Sequence, residues 1–450
     1  LTPLTNGVPR YTQQGLEALE QTVIAPARAA PPRAVRNPEL LSAEEKLAFY
    51  ASEGVAAVLQ CESGWLGAVR GFSRPGSRND GWSRAGMMAS PAIVAITPEH
   101  YNRMYRIIKR DIPVRVEIEV RNRMGDRVEQ AMNLVGEIPG TDLKDEVVMI
   151  GAHLDTWHAS PNASDNTSGV AVALEAMRIL KAIGATPRRT IRVALWAGEE
   201  QGLIGSMAHA QKMAAEKVVV DANFNNDIIG NSVGGNGQID GKSVRIYSLG
   251  PEDNMSRSLA RYIERVAAVY VPSHRIRLMA REDRFGRGSD HSSFTANGYP
   301  AVVFREANEN YRRQHSADDT MEGMDFTYLT QNARVNAASA AAVALAPSAP
   351  NVNGERGQAL IARGASGYDA SLQWGASPGA VGYRVYWRDA WTNDWDRSQV
   401  VGNVTRFVMP NVSIDDYVFG VSAIGADGNE SLVSAYVSPV RRMMEVKLFR

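Results

Sequence analysis

The stretch EVVMIGAHLDTWHASPNASDNTSGVAVALEAMRIL, residues 146–180, decides the fold. An apolar run of strand length, VVMIGA, gives way at His153-Leu154-Asp155 to a polar loop. The loop in turn gives way, from Thr167, to apolar residues at helical spacing. Strand, loop and helix in that order make one step of an α/β winding. The step recurs downstream. RTIRVALWAGEE (189–200) reads as a strand, QGLIGSMAHAQKMAAE (201–216) as a helix and VVVDANFNNDIIG (218–230) as a strand. AMNLVGEIPG (131–140) precedes this block as a strand. VRIYSLG (244–250), a helix from Asn254 to Tyr270, the strand PAVVFRE (300–306) and a final helix from Phe326 to Ala346 follow it. The pattern over 124–348 is that of an α/β domain, a doubly wound mixed sheet with helices on both faces.

In such a sheet functional groups gather at the carboxyl ends of strands. One strand ends in His153-Leu154-Asp155, and Asp165 lies in the loop after it. The next ends in Gly198-Glu199-Glu200, and the third runs into Asn225-Asn226-Asp227. AVVFRE is followed after a short loop by His315. Histidine and carboxylate groups without thiolates suit zinc, and also cobalt or manganese. HExxH is absent, which excludes the helical zincin arrangement. His153, Asp165, Glu200, Asp227 and His315 are too many for one catalytic zinc and the right number for two if a carboxylate bridges. Asp165, in the tight loop NASDNTSG, is the natural bridge. Glu199, beside a ligand yet unable to share its metal easily, is the expected general base, and Asp155 is placed to hold the second nitrogen of His153.

Outside this block the texture changes. Residues 1–38, rich in Pro, Ala and Arg, read as an N-terminal arm on the body of the protein, and the start at Leu1 rather than Met reads as a processed one. Residues 39–123 read as a small α/β module: a helix from Ser42, the strand VAAVLQC, a loop over Gly64–Gly86, ASPAIVAIT, a helix from Pro98 to Lys109, and an alternating strand over 113–123. After the linker APSAPNVNGERG, residues 358–450 become all-β, with short alternating strands that argue a sandwich. With 450 residues, two or three domains are the default. The 49 basic and 49 acidic residues balance, so no strong field towards nucleic acid or an anionic membrane is implied. No apolar run approaches the roughly 20 residues that span a bilayer. Cys61 is the only cysteine, which rules out an intramolecular disulfide and a four-cysteine zinc site; on its apolar strand it reads as an inert core residue.

GAHLDTW, ASDNTSG, WAGEEQGLIGS, NNDIIG and QHSADDT resemble, in order and spacing, the co-catalytic two-zinc exopeptidases. That group includes bacterial leucine-type aminopeptidases and the plasma glutamate carboxypeptidase (carboxypeptidase Q) type, and HLDTWHA and EEQGLIGS look closest to the latter. The resemblance covers about 135–345 and implies a peptide substrate and two Zn2+ per chain. It implies His153 and Asp227 on one ion, Glu200 and His315 on the other, and Asp165 between them. Hydrolysis of a terminal peptide bond by a metal-bridged hydroxide is then expected, with Glu199 moving the proton. Aminopeptidase activity comes first, and dipeptidase or carboxypeptidase Q-type cleavage is the alternative. A single-zinc acyltransferase of the glutaminyl cyclase type is a further alternative, against which the presence of both His153 and Asp227 speaks. A binding protein that has lost catalysis would lack a ligand or the base, and neither is lacking.

Two departures stand out. NNDIIG replaces the more usual N-x-D-M-I-G, and Gln314 and Ser316 flank His315 where Tyr and Thr are common, leaving Tyr311 as a substitute for that tyrosine. Residues 39–123 resemble a protease-associated domain, a lid-like insertion of several secreted exopeptidases, so a secreted or periplasmic location is expected. The C-terminal part resembles a fibronectin type III domain, with Trp374 and Trp387 in its core and Tyr417 in the tyrosine-corner position. Asp290-His291 in GSDHSSF falls near the expected substrate pocket or caps a turn. His100, His158, His209 and His274 read as ordinary solvated histidines, and Trp391 and Trp395 as candidate ligand contacts.

Overall fold

The computed structural model describes residues 12, 14, 43–61, 91–121, 131–157, 160–250, 253–284 and 287–437. The expected N-terminal arm, apart from residues 12 and 14, the expected loop over 64–86, and His158 lie outside the described residues. The chain divides into two compact units, residues 1–10 with 28–130 and residues 11–27 with 131–450.

In the first unit, helix α1 (Ala43–Ser52) precedes two parallel strands, β1 (Ala57–Cys61) and β2 (Ala92–Ile96), paired from Ala57–Ala92 to Cys61–Ile96. Helix α2 (Pro98–Ile108) follows directly. The Thr97 side chain accepts the His100 amide, and Pro98 opens the helix, where an N–H would have no intrahelical partner. The alternating strand expected over 113–123 is not formed in its described part. Residues 113–121 pair with no described strand, and Val116, Ile118 and Val120 are exposed. A period of two says which side chains could share a face, but a strand also needs a neighbour to take its backbone hydrogen bonds.

In the second unit a seven-stranded mixed sheet runs in the order β3 (Leu134–Ile138), β5 (Arg189–Trp196), β4 (Leu143–His153), β6 (Val219–Asn226), β9 (Ala301–Glu306), β7 (Ser243–Ser248), β8 (Arg275–Met279). Strands β5, β4, β6 and β9 are mutually parallel. β3 is antiparallel to β5, and β7, parallel to β8, is antiparallel to β9. Successive side chains leave opposite faces of a strand. Val148, Ile150 and Ala152 of β4 thus join a core with α3 (Ser168–Ala182), α5 (Met255–Tyr270) and α7 (Phe326–Leu345). Val147 and Met149 join a smaller core on the other face with α4 (Ile204–Ala215) and α6 (His291–Thr295). The final helix expected from Phe326 to Ala346 forms as α7, and Ala337, Ala340 and Ala344 are buried along its last turns. Strand β8 and the five-residue α6 carry no readable sequence signal. Arg277 of β8 is buried against Asp240 at 3.0 Å, although alternation in RIRLM would assign its face to solvent-exposed polar residues. No helix of the described residues is long and apolar enough to cross a membrane.

Beyond α7 the chain forms two antiparallel sheets. One holds β10 (Ile361–Arg363), β11 (Ala370–Gln373) and β14 (Arg406–Met409). The other holds β13 (Arg397–Gly402), β12 (Ala380–Asp389), β15 (Tyr417–Gly425) and β16 (Ser434–Ala435). Leu372, Trp374, Tyr383, Val385, Phe419 and Val421 are buried in one core between them. Trp387 and Tyr417 pack on that core while partly exposed. These sheets belong to the same compact unit as the seven-stranded sheet. They are held to α5 by polar groups. Ser258 donates to the Val433 carbonyl at 2.7 Å, and the Tyr262 hydroxyl to the Glu430 carbonyl at 3.0 Å. Buried Asp253 takes Arg261 at 2.7 Å and Arg388 of β12 at 2.6 Å. Both arginines stand over Trp395, at 5.7 and 5.5 Å from the ring centre, so Trp395 is part of this joint, while Trp391 is exposed.

Removing one partner of a buried ion pair strands the other charge at a cost of about 3–5 kcal/mol. Asp253→Ala strands two arginines. It should lower unfolding stability in urea by about that much and make the segment after residue 348 the first to be cleaved by protease. A loss below about 1 kcal/mol would show that this cluster does not hold the layers together.

Candidate metal centre

Four parallel strands end at one edge of the sheet, and the winding turns there. From β4 the chain goes to β5 on one side and then to β6 on the other, which opens a crevice at the end of β4. His153 is the last residue of β4. The loop Ala163–Thr167 carries Asp165; the turn after β5, with Gly198 at φ 71°, carries Glu199 and Glu200; Asp227 follows β6 directly. His315 lies on the loop after β9 with φ 56°, in the left-handed region that costs a non-glycine residue about 1–2 kcal/mol.

These side chains form two trios that share one member. His153 Nε2 lies 3.3 Å from Asp165 Oδ1 and 3.5 Å from Asp227 Oδ1. His315 Nε2 lies 2.9 Å from Asp165 Oδ2 and 3.2 Å from Glu200 Oε1. Asp165 thus turns one oxygen to each trio. Two ligands of a tetrahedral ion, each about 2.0–2.2 Å from it, stand roughly 3.3 Å apart, which is the spacing found. Apart from the histidine of its own trio, neither buried Asp227 Oδ1 nor buried Glu200 Oε1 meets a hydrogen-bond donor among the described residues, so each has a lone pair to offer a cation. The donor set and the geometry fit zinc.

The electrostatics follow from packing acids and imidazoles together out of water. Burial opposes a charged His153, but hydrogen bonding to Asp165 and Asp227 lifts its pKa well above the usual range. For Asp165 burial works upward and the two imidazoles win, holding it well below a normal carboxyl. His315 is pushed up to about 9, against its burial, by Asp165 and Glu200. Glu199 goes the other way. Burial raises its pKa well above a normal carboxyl, His153 moderates this, and Asp227, Asp290 and Glu200 add to it.

All seven residues expected from the sequence meet here, with one change of role. His153 Nδ1 is 2.9 Å from the backbone carbonyl of Asp155, whereas the Asp155 carboxylate stands 3.8 Å from that nitrogen. Its two oxygens instead accept the backbone N–H groups of Glu199 and Glu200, both at 3.0 Å. Two free amides at the mouth of a turn are a stronger attraction for a carboxylate than one imidazole that a carbonyl already serves. Sequence reading missed Arg305, buried on β9, which donates to Asp227 Oδ2 at 2.5 Å. It also missed Trp157, whose ring lies 5.4 Å from that of His315, although Trp157 stands inside the GAHLDTW motif. Asp290 and His291 are fully buried in and before α6. Burial pushes Asp290 up to about 7 and His291 down to about 4, and His291 Nε2 bonds the Glu282 carbonyl. Tyr311 lies under Arg287, 4.6 Å from guanidinium to ring centre. His209 and His274 are not the solvated histidines expected: His209 packs tilted against Trp196, ring centres 5.2 Å apart, and buried His274 bonds Asn332.

A raised histidine pKa contributes stability that is complete below the unfolded value of about 6.5 and is lost as pH climbs through the folded one. With metal removed by chelator, His315 should therefore stabilise the protein below about pH 6.5 and cease to do so through about 9. Melting temperatures in chelator should fall across that window, and His315→Ala should shrink the fall. Zinc needs the neutral imidazole, so zinc affinity should rise over the same range. A chelated protein whose melting is flat from pH 6 to 9 would contradict the linkage.

The pattern of peptidase family M28 matches residues 133–340, the segment that holds both trios. A probable zinc metalloprotease of Leptosphaeria maculans is 31% identical over 66% of this chain and 76% of its own length. A second, from Pyricularia oryzae, is 33% identical over 66% of each. Among solved structures, the aminopeptidase LapA of Legionella pneumophila is 27% identical over 47% of this chain, with a TM-score of 0.41; the chain spans 55% of its length. The family match over residues 133–340 takes in every loop that carries a candidate ligand, and this chain belongs to peptidase family M28, a hydrolase like its zinc metalloprotease relatives.

Proposed function

We propose that this protein is an aminopeptidase, an exopeptidase that uses two zinc ions to release the N-terminal residue of a peptide. One ion would be held by His153, Asp165 and Asp227 and the other by Asp165, Glu200 and His315. The observation that carries the reading is Asp165, with one oxygen turned to each histidine. The amino-terminal preference rests on the motif resemblance. When bound, the zinc pair supplies Lewis-acid polarisation of the scissile carbonyl and lowers the pKa of water from 15.7 towards about 7.

The chain's own groups supply the rest. Glu199, mostly buried and with its pKa raised by that burial, accepts the proton of the attacking water and returns it to the leaving amine. Asp155, holding both amides of the Glu199-Glu200 turn, fixes the base relative to the neighbouring ligand. Arg305 occupies Asp227 Oδ2 and so leaves Oδ1 for the ion. We read residues 39–123 as a protease-associated-like module and 358–450 as a fibronectin type III-like one, and place the enzyme outside the cytoplasm on the strength of the former.

Elemental analysis should find about two zinc ions per chain; one or none sinks the two-ion reading. Glu199→Gln should keep its zinc and lose roughly three orders of magnitude in kcat, within the usual range for a general base. Near-normal turnover would mean that the base lies elsewhere. A panel of aminoacyl anilides, free dipeptides and N-blocked peptides reads the specificity. Hydrolysis of the anilides with no cleavage of blocked peptides is expected. Cleavage of blocked peptides from the carboxyl end would make it a carboxypeptidase, and cleavage of dipeptides alone a dipeptidase.

A further inference from the structure

The bridging residue Asp165 is held from both sides by side chains that belong to neither trio. On its carboxyl side, Asn166 donates to the Asn226 carbonyl at 2.9 Å and accepts the Ile228 amide at 3.2 Å, so it grips the backbone on both sides of Asp227. On its amino side, Asp319 accepts the Ser164 amide at 2.8 Å through one oxygen and the Asp165 amide at 2.9 Å through the other. The Asp319 carbonyl takes the Ala163 amide at 3.0 Å as well. Asp319 is fully buried, four residues beyond His315.

The two halves of the centre differ in what supports them. His153 and Asp227 stand at the ends of paired strands in the middle of the sheet. His315 stands on a loop, in a strained backbone conformation. A strained residue keeps its conformation only when its surroundings over-determine it. The loop is braced internally by Ser316, which donates to the Arg312 and Arg313 carbonyls, and by Gln314, which donates to Glu309. Neither brace reaches the Asp165 loop; Asp319 does.

We infer that Asp319 is a positioning residue that sets the distance between the bridging Asp165 and His315, and so governs the Glu200/His315 ion selectively. Without the Asp319 carboxylate, Asn166 still holds Asp165 to the Asp227 side, while the His315 loop keeps only the backbone bond from Ala163 to the residue 319 carbonyl. The inference rests on the reading of Asp165 and His315 as ligands. Loss of such an outer partner typically weakens metal binding by about 10–100-fold.

The test is zinc binding to the full chain in metal buffers, read as ions bound per chain against free zinc. Asp319→Ala should weaken one of the two ions by about 10–100-fold and leave the other within about threefold. Added to Glu200→Ala, which removes a ligand of the affected ion, it should change the remaining ion by less than about threefold. Added to Asp227→Ala, it should weaken the remaining ion as much as in the otherwise unaltered chain. If Asp319→Ala does not fold, Asp319→Asn keeps one acceptor and should show the same selectivity at smaller size. Equal weakening of both ions, or unchanged affinity for both, overturns the inference. Unchanged binding in Asp165→Asn would instead overturn the ligand reading beneath it.

Discussion

The Asp165 carboxylate is buried, negatively charged, and set between two imidazoles that each take one of its oxygens. A charge in that position is tolerable only if it is paired, and the pairing is made by His153 at the end of β4 and His315 on the loop after β9. Much of the surrounding architecture serves this requirement. The parallel strands bring the loops to one edge. The reversal of winding beside β4 opens the crevice into which they turn. Three polar side chains outside both trios then lace the loops to one another. Asp155 ties the end of β4 to the Glu199-Glu200 turn, Asn166 ties the Asp165 loop to Asp227, and Asp319 ties it to the His315 loop. Each bond satisfies a backbone amide or carbonyl at the site, so satisfying the backbone and fixing the site are one task.

The same economy appears at the far side of the sheet. Helix α5 fills one face of the seven-stranded layer with Leu259 and Ile263, and turns Ser258, Arg261 and Tyr262 to the C-terminal sheets. Its arginine meets Asp253 and Trp395 there, and Arg388 reaches the same aspartate from β12. The β layers therefore complete the burial of α5, which makes them part of the second unit and not a tethered appendage.

Much of the fold was legible because the second unit is built from segments whose apolar spacing is regular and whose burial agrees with it. The strands containing VVMIGA and IRVALW and the helix from Ser168 are cases where pattern, propensity and burial coincide. Where they part, reading fails. Strand β8 carries Arg277 on a buried face because Asp240 is there to meet it, and residues 113–121 alternate well yet have no described strand beside them. The Asp155 carboxylate was assigned to His153 by its nearness in sequence, while its partners lie at Glu199 and Glu200, 44 and 45 residues along.

The sequence by itself determined which residue types stand at the ends of the strands, and with them the chemistry of the centre. Strand ends and motif order are local properties, carried by periodicities of two and 3.6 and by the turn residues between them. Only the tertiary structure decided what holds those residues in place: that Asp155 takes the Glu199 and Glu200 amides, that Arg305 occupies one oxygen of Asp227, and that Asp319 reaches back to the Asp165 loop. Those pairings join residues up to 155 positions apart. No local pattern encodes them, because they arise only when the sheet has brought the loops within hydrogen-bond reach.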